Sequence, residues 1–269
     1  MTELTKNKYQ KTNAVDMKLN RVKSFYLEVI AKGRPKDAVE AYVGDHFIQH
    51  STSVKDGREG FIEFFTAFIK RNPERDIKIV RGWEDGEYVF LHVYQNLNNG
   101  AYEYVTSHFF KTDVNGRIIE HWDVVSKFQG LNPSGRTQID GEIEISDLDR
   151  TEENKAIVVE MLEGCLFPGA RPERIENWFA GPYIQHNIEV GDGLDTVRKL
   201  SQSENRPLIY EEIVLVVGKG NFVATLCKAT WEGIPLAQVD IVRLEHGKIV
   251  EHWDLTEPVP LNSVNSGKF

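Results

Sequence analysis

The sequence predicts an α+β fold: two tandem cone-shaped domains, each with about three N-terminal helices packed on a curved, mostly antiparallel sheet. Three observations carry this. Ile48-Gln49-His50 with Asp56-Gly57 returns as Ile184-Gln185-His186 with Asp192-Gly193, 136 positions on. Gly116-Arg117-Ile118-Ile119-Glu120-His121-Trp122-Asp123 returns as Gly247-Lys248-Ile249-Val250-Glu251-His252-Trp253-Asp254, 131 positions on. A nearly constant offset that long, carried by His, Trp and Asp, marks a duplicated domain rather than a solenoid. Within each half a 3.6-residue apolar period gives way to a period of two, so helices precede strands.

The elements follow in order. Val22, Phe25, Tyr26, Val29 and Ile30 give a helix over Asn20 to Ala31, ended by Gly33 and Pro35. Pro35 opens a second helix to Tyr42, Phe47 to His50 is a short strand, and Arg58 to Arg71 is a third helix that Asn72-Pro73 stops. Strands follow near Ile77, at Tyr88 to Gln95, Tyr102 to Lys111 and Arg117 to Val125, with turns at Glu84-Asp85-Gly86, Asn98-Asn99-Gly100 and Asp113 to Gly116. The second half repeats the order. Helices are expected over Glu152 to Leu166, Pro172 to Phe179 and Leu194 to Gln202, with Tyr183 to Asn187 as the short strand. Strands follow at Leu208 to Val217, Phe222 to Thr230, Pro235 to Glu245 and Lys248 to Thr256. Domain boundaries fall at 16–128 and 151–260, with 129–150 as linker. Thr137 to Ile145 is expected as an added strand, and Asp149 or Thr151 as the cap of the next helix.

A net charge of −9 without a basic run argues against nucleic acid or an anionic membrane as partner. The polar stretch Met1 to Val15 and the lack of any membrane-length apolar run favour a cytoplasmic location. Cys165 and Cys227 lack metal or disulfide spacing and are expected as inert core thiols. There is no phosphate loop or nucleophile elbow, so no cofactor is expected.

The Tyr/Phe-Ile-Gln-His segment and the Glu-His-Trp-Asp ending resemble the SnoaL-like polyketide cyclases, the aldol-condensation-catalysing group of the nuclear transport factor two-like (cystatin-like) superfamily. The resemblance spans both halves almost end to end. It implies that His50 and His186 border a cavity between helices and sheet. It also implies that the acid/base Asp corresponds to Asp240 or Asp254, a choice it leaves open. Single-domain relatives commonly pair through the sheet, which implies an internal pseudo-dimer here, with a further homodimer open. The superfamily hosts many reactions and some non-enzymes, so the reaction is not implied.

Strand alternation supplies candidate residues. With His246-Gly247 as a two-residue turn, Glu245 faces Lys248, and counting outward places Asp240, Glu251 and Trp253 on the more apolar, pocket-facing side. Asp240 and its first-half counterpart His108 are therefore the leading proton-transfer candidates. His50 and His186 are the groups that polarise an oxygen, and Trp122, Trp253, Phe47 and Tyr183 are pocket walls. The plain alternative is buried polar groups and core aromatics. By the same count, His121 with Asp123 and His252 with Asp254 are outer-face polar pairs near Arg117 or Arg243, without a third metal ligand. A single bulge would turn Asp123 and Asp254, the second-tier acid/base candidates, inward. Tyr26, Tyr102, Tyr104, Trp83 and Phe110 make the first half more aromatic and favour an apolar ligand there. The expectation is a cofactor-independent enzyme acting on a small apolar carbonyl compound by aldol-type cyclisation, isomerisation or dehydration. Its rival is a non-catalytic binding or interaction module, and epoxide hydrolysis is a weaker third.

Overall fold

In the computed structural model, residues 16–170, 174–203 and 207–269 are described; Met1 to Val15 lies outside them. The first half runs α1 (Met17–Val29), α2 (Pro35–Tyr42), β1 (Val43–Gln49), α3 (Gly57–Arg71), β2 (Arg75–Asp85), β3 (Tyr88–Leu97), β4 (Tyr102–Thr112) and β5 (Ile118–Lys127). The second runs α4 (Thr151–Cys165), β6 (Phe179–Gln185), α5 (Asp195–Gln202), β7 (Leu208–Lys219), β8 (Phe222–Trp231), β9 (Ile234–Glu245) and β10 (Lys248–Pro258). Each half folds into a five-stranded sheet, in the orders β1-β5-β4-β3-β2 and β6-β10-β9-β8-β7. The first strand of each sheet lies parallel to the last and the other pairings are antiparallel. This is the two-domain α+β architecture that the repeat predicts.

The turns form where Gly and Asn permit positive φ, at Gly86, Asn98, Asn99, Gly116, Gly220 and Gly247. Three local expectations differ. Pro172 to Phe179 is not a regular helix: its described part is a 3₁₀ turn at Ile175–Asn177 leading into β6, and 172–173 lie outside the described residues. Thr137 to Ile145 forms no strand; its polar groups are spent on both halves. Asp140 O accepts hydrogen bonds from Trp253 Nε1 (2.9 Å) and Arg81 Nη2 (2.8 Å). Gly141, at φ +89°, passes so close to Glu251, Trp253 and His186 that a Cβ would collide with all three. Neither Asp149 nor Thr151 caps α4; Thr151 Oγ1 instead donates to Leu148 O and accepts from Gly220 N.

The two sheets pack face to face. Trp83, Phe90, Phe109, Trp122 and Val124 of the first meet Val217, Phe222, Val239, Ile241, Trp253 and Leu255 of the second in one buried cluster. Trp83 Nε1 donates to Val217 O (3.1 Å), and the Arg81 guanidinium sits 4.1 Å over the Trp253 ring. This is an internal pseudo-dimer built through the sheets. The opposite face of each sheet is covered by its own helices. Cys165 and Cys227 are buried, and burial pushes the Cys227 thiol pKa up. No helix among the described residues is long and apolar enough to cross a membrane.

Candidate functional site

The face of every motif residue is decided by a bulge. β10 begins as the hairpin count predicts, with Lys248 opposite Glu245 and Ile249 opposite Leu244. The register then slips at Val250, so Glu251 pairs with Arg243 and Asp254 with Asp240. β5 slips equivalently at Ile119, and Asp123 pairs with His108. The expected faces are therefore reversed. Each motif splits into an inter-sheet half, Glu and Trp, and a helix-side half, His and Asp. His121-Asp123 and His252-Asp254 are not outer-face pairs with Arg117 or Arg243. Arg117 instead holds the Val43 and Glu40 carbonyls, and Arg243 the Glu251 and Glu245 carboxylates.

The same slip moves other candidates away from the helix-side face. Trp122 stacks at 4.7 Å on His50, and Trp253 at 4.7 Å on His186, on the inter-sheet side. His50 contacts Gly267 O (2.6 Å) and Glu120 (2.9 Å), and His186 contacts Thr137 O (2.7 Å) and Glu251 (3.0 Å). With an acceptor on each ring nitrogen, both histidines are clamps between domains and do not line the cavity described below. Phe47 and Tyr183 are core residues under the helices and do not line it either.

The cavity lies in the first half between α1, α3 and the sheet, and its volume is about 640 Å³. α3 turns Phe61, Phe64, Phe65 and Phe68 into it at helical spacing, and α1 contributes Phe25 and Tyr26. Tyr102, Tyr104 and Phe110 complete the apolar wall, whereas Trp83 belongs to the inter-sheet core. His108, His121 and Asp123 form the polar floor, bordered by Ser51, Thr52 and Glu257 of β10.

Hydrogen bonds on this floor fix the tautomers. Gln49 Oε1 sits 2.7 Å from His121 Nδ1, and a carbonyl oxygen can only accept. His121 Nε2 is then the acceptor for His108 Nδ1–H at 3.0 Å. His108 Nε2 in turn accepts from the Thr106 hydroxyl at 2.8 Å. Burial pushes the His108 pKa down to about 4 and that of His121 to about 3, so both are neutral near pH 7, as this chain of donors requires. For Asp123, burial is the largest influence and acts to raise the pKa, but the Lys268 ammonium 3.5 Å away, together with the two imidazoles and a Ser51 hydrogen bond, outweighs it and holds the carboxyl below the ordinary Asp value.

His108, His121 and Asp123 each offer a ligand atom, all within 4.8 Å of one another, so His108 supplies the third ligand that the sequence pattern lacked. A cation there would have to displace the proton shared by the two rings and share Asp123 with an ammonium. The donor set therefore fits a metal poorly.

In the second half, among the described residues, side chains occupy the equivalent space. His252 keeps the glutamine contact, Nδ1 to Gln185 Oε1 at 2.9 Å, but its Nε2 meets Asp240 Oδ1 at 3.0 Å. Tyr210 donates its hydroxyl to the same carboxylate at 3.0 Å. Tyr210 lies opposite Ala229, where the first sheet has Ile77 opposite Gln95, so a ring occupies volume left open in the first half. Burial opposes charge on His252, but the Asp240 hydrogen bond and the Asp254 carboxylate raise its pKa; burial raises that of Asp254. Asn187 Nδ2 donates to Asp254 at 2.8 Å. Asp240 lines none of the described cavities.

Counting strands from the repeat brings His108 and Asp240 to matching places, but sequence reasoning used Tyr26 only as an aromatic and Gln49 only as part of the repeat, and missed Glu257 and Lys268. Only a second repeat, trailing the last strand of each half, signals the region of Lys268: Asn132, Ser134 and Gly135 return as Asn265, Ser266 and Gly267.

Residues 22–121 match the model of the SnoaL-like domain. No curated protein matches the chain. Among solved structures, wild-type IdmH from Streptomyces antibioticus, a candidate polyketide cyclase, overlays 41% of this chain and 92% of its own at 13% identity and a TM-score of 0.35. TsrD from Streptomyces laurentii overlays 40% of this chain and 88% of its own at 12% identity and a TM-score of 0.36. A candidate isomerase of the SnoaL-like family from Agrobacterium tumefaciens overlays 40% and 96% at 11% identity and a TM-score of 0.36.

Proposed function

Taking the first half as a SnoaL-like domain, we propose that this protein is a cofactor-independent acid/base enzyme acting in the first-half cavity on a small, largely apolar carbonyl compound. The reading takes 16–128 and 151–260 as the two units, joined by 129–150. One observation carries it: a phenylalanine-lined hollow of about 640 Å³ whose polar floor is a buried carboxylate beside two neutral imidazoles. Asp123 takes the proton next to the substrate carbonyl. The Tyr26 hydroxyl, already accepting from Gln95 Nε2 (2.8 Å), turns toward the developing enolate oxygen. The His108–His121 pair holds the floor rigid and uncharged, so the negative charge stays on the acting carboxylate. Returning the proton to another carbon gives isomerisation, delivering it to a departing hydroxyl gives dehydration, and attack of the enolate on a second carbonyl of the same molecule gives aldol cyclisation. Asp240 takes no part, because Tyr210 and His252 occupy its oxygens, and His50 and His186 act as clamps.

The test is exchange of α-protons for deuterium in D₂O, followed by NMR over a panel of apolar ketones and 1,3-diketones. Exchange above the buffer rate that falls by about 10²-fold or more in Asp123→Asn is expected. The reading is overturned if no ketone exchanges above buffer, or if Asp123→Asn exchanges like the parent. Saturable binding of the same ketones without exchange is the outcome for a binding module. That alternative is favoured by the mutual hydrogen bond that occupies the facing nitrogens of the two imidazoles.

A further inference from the structure

The two halves exchange straps. After β5 the chain crosses to the second sheet, where Asn132 Nδ2 donates to the carbonyls of Gln185 (2.7 Å), Val190 (3.1 Å) and Asn187 (3.2 Å). Ser134 Oγ accepts from Asp192 N (2.8 Å), and Thr137 O faces His186. After β10 the chain crosses back in the same manner. Asn265 Nδ2 donates to Ser51 O (2.6 Å) and Val54 O (2.8 Å), Ser266 Oγ donates to Asp56 Oδ2 (2.6 Å), and Gly267 O faces His50. Each strap docks on the loop that follows the Ile-Gln-His strand of the opposite half. Five side-chain hydrogen bonds to backbone therefore come from just two asparagines, which pins both straps in register.

The straps differ at the basic residue that follows the shared glycine. Arg136 stays at the surface, paired with Asp192 at 2.8 Å. Lys268 turns inward, is only 6% exposed, and places its ammonium 2.9 Å from Glu257, 3.2 Å from Thr52 Oγ1 and 3.5 Å from Asp123. All three groups line the first-half cavity. Glu257 is also bonded to Val125 N at 2.9 Å and to the Thr52 hydroxyl, so β10 braces the floor of the opposite domain.

We propose that Lys268, carried across from the second half by its strap, is the positioning residue that keeps Asp123 ionised in the first-half cavity, so that the candidate site is assembled from both halves. A carboxylate buried among aromatic rings without a partner protonates rather than bear the desolvation cost. The groups facing Asp123 are His108 on β4, His121 beside it on β5, Ser51 in the loop after β1, Tyr26 on α1 and Lys268 on the strap. Both imidazoles are neutral near pH 7, and Ser51 and Tyr26 carry no charge. Lys268 is therefore the one positive group on Asp123 among the described residues, with Glu257 balancing its remaining charge. The second half thereby contributes to the first-half site. The proposal deepens the acid/base reading of the cavity, but its test does not require turnover.

The test is a pH titration of the full chain with ¹³C-labelled Asp carboxyls, the Asp123 signal being assigned by Asp123→Asn. In Lys268→Met the Asp123 midpoint is expected to rise by about one pH unit or more, and Lys268→Arg to remain near the parent. A midpoint that stays put in a Lys268→Met protein with a parent-like amide spectrum overturns the proposal. Should that variant fail to fold, the parent still decides: the ¹⁵Nζ signal of Lys268 must shift with the Asp123 midpoint, and an Nζ signal indifferent to that titration is the contrary result. Absence of ketone exchange together with the expected midpoint shifts would remove the enzyme reading and leave the composite site standing.

Discussion

The two halves carry an eight-residue ending that agrees at six positions, yet one substitution beside it gives two different kinds of polar cluster. In the first half His121 meets His108, and two neutral rings share one proton along a chain that starts at Gln49 and ends at Thr106. In the second half the same histidine, His252, meets Asp240, and the contact becomes an imidazole–carboxylate pair whose second partner is the Tyr210 hydroxyl. The helices diverge with the clusters. α3 has 15 residues and four phenylalanines over the cavity, whereas α5 has eight residues. Fold identity is thus separable from cavity identity: the sheet, bulge and clamp are common to both halves, and openness depends on what stands opposite positions 95 and 229 and on the length of one helix.

The comparison predicts that removing the acidic partner acts on stability in the second half and on chemistry in the first. Asp240→Ala leaves Tyr210 and His252 buried without their acceptor, so denaturant unfolding should show a loss of about 3–5 kcal/mol. Asp123→Asn is near-isosteric and borders a hollow, so its stability loss should be much the smaller of the two. A cost below about 1 kcal/mol for Asp240→Ala would mean that the second cluster is not the tight network described.

A subtler separation lies in pH. The native pKa values of His108 and His121 are near 4 and 3, below the unfolded value of about 6.5, so the unfolded chain takes up protons first as pH falls. Their contribution is complete above pH 6.5 and is lost on acidification through about pH 4 for His108 and about pH 3 for His121, at about 1.4 kcal/mol for each unit of separation. His252, whose native pKa is raised, behaves oppositely: its contribution is complete below about pH 6.5 and is lost as pH climbs through the raised value. Amide hydrogen exchange corrected for intrinsic rates should therefore show β4 and β5 loosening on the acid side and β9 and β10 on the alkaline side. Parallel pH dependence of both sheets would erase the distinction.

Much of this architecture is legible in the sequence, because helix period, turn chemistry and a long repeat all point the same way. The equivalence of His108 and Asp240 is also legible from the repeat, although the regular hairpin count sets Asp240 opposite Trp253 and the structure sets each residue across from the terminal Asp of its motif. The faces are not. Ile119 and Val250 are β-branched residues that suit a regular strand, so nothing local marks them as bulges, and one inserted residue turns every later side chain over. Trp122 and Trp253 thereby face the other sheet, where they stack on His50 and His186. Lys268 was illegible for another reason: its partners Asp123 and Thr52 are distant in sequence, and only the fold brings a strap back across the sheet interface.

The asymmetry of the two hollows is tested most directly by pressurising crystals of the protein with xenon, which enters apolar cavities without needing a substrate. Xenon density among Phe61, Phe65 and Phe110 beside His108, with none next to Tyr210 and Asp240, is the predicted result. Xenon seated against Asp240 with the first-half hollow empty would contradict the account.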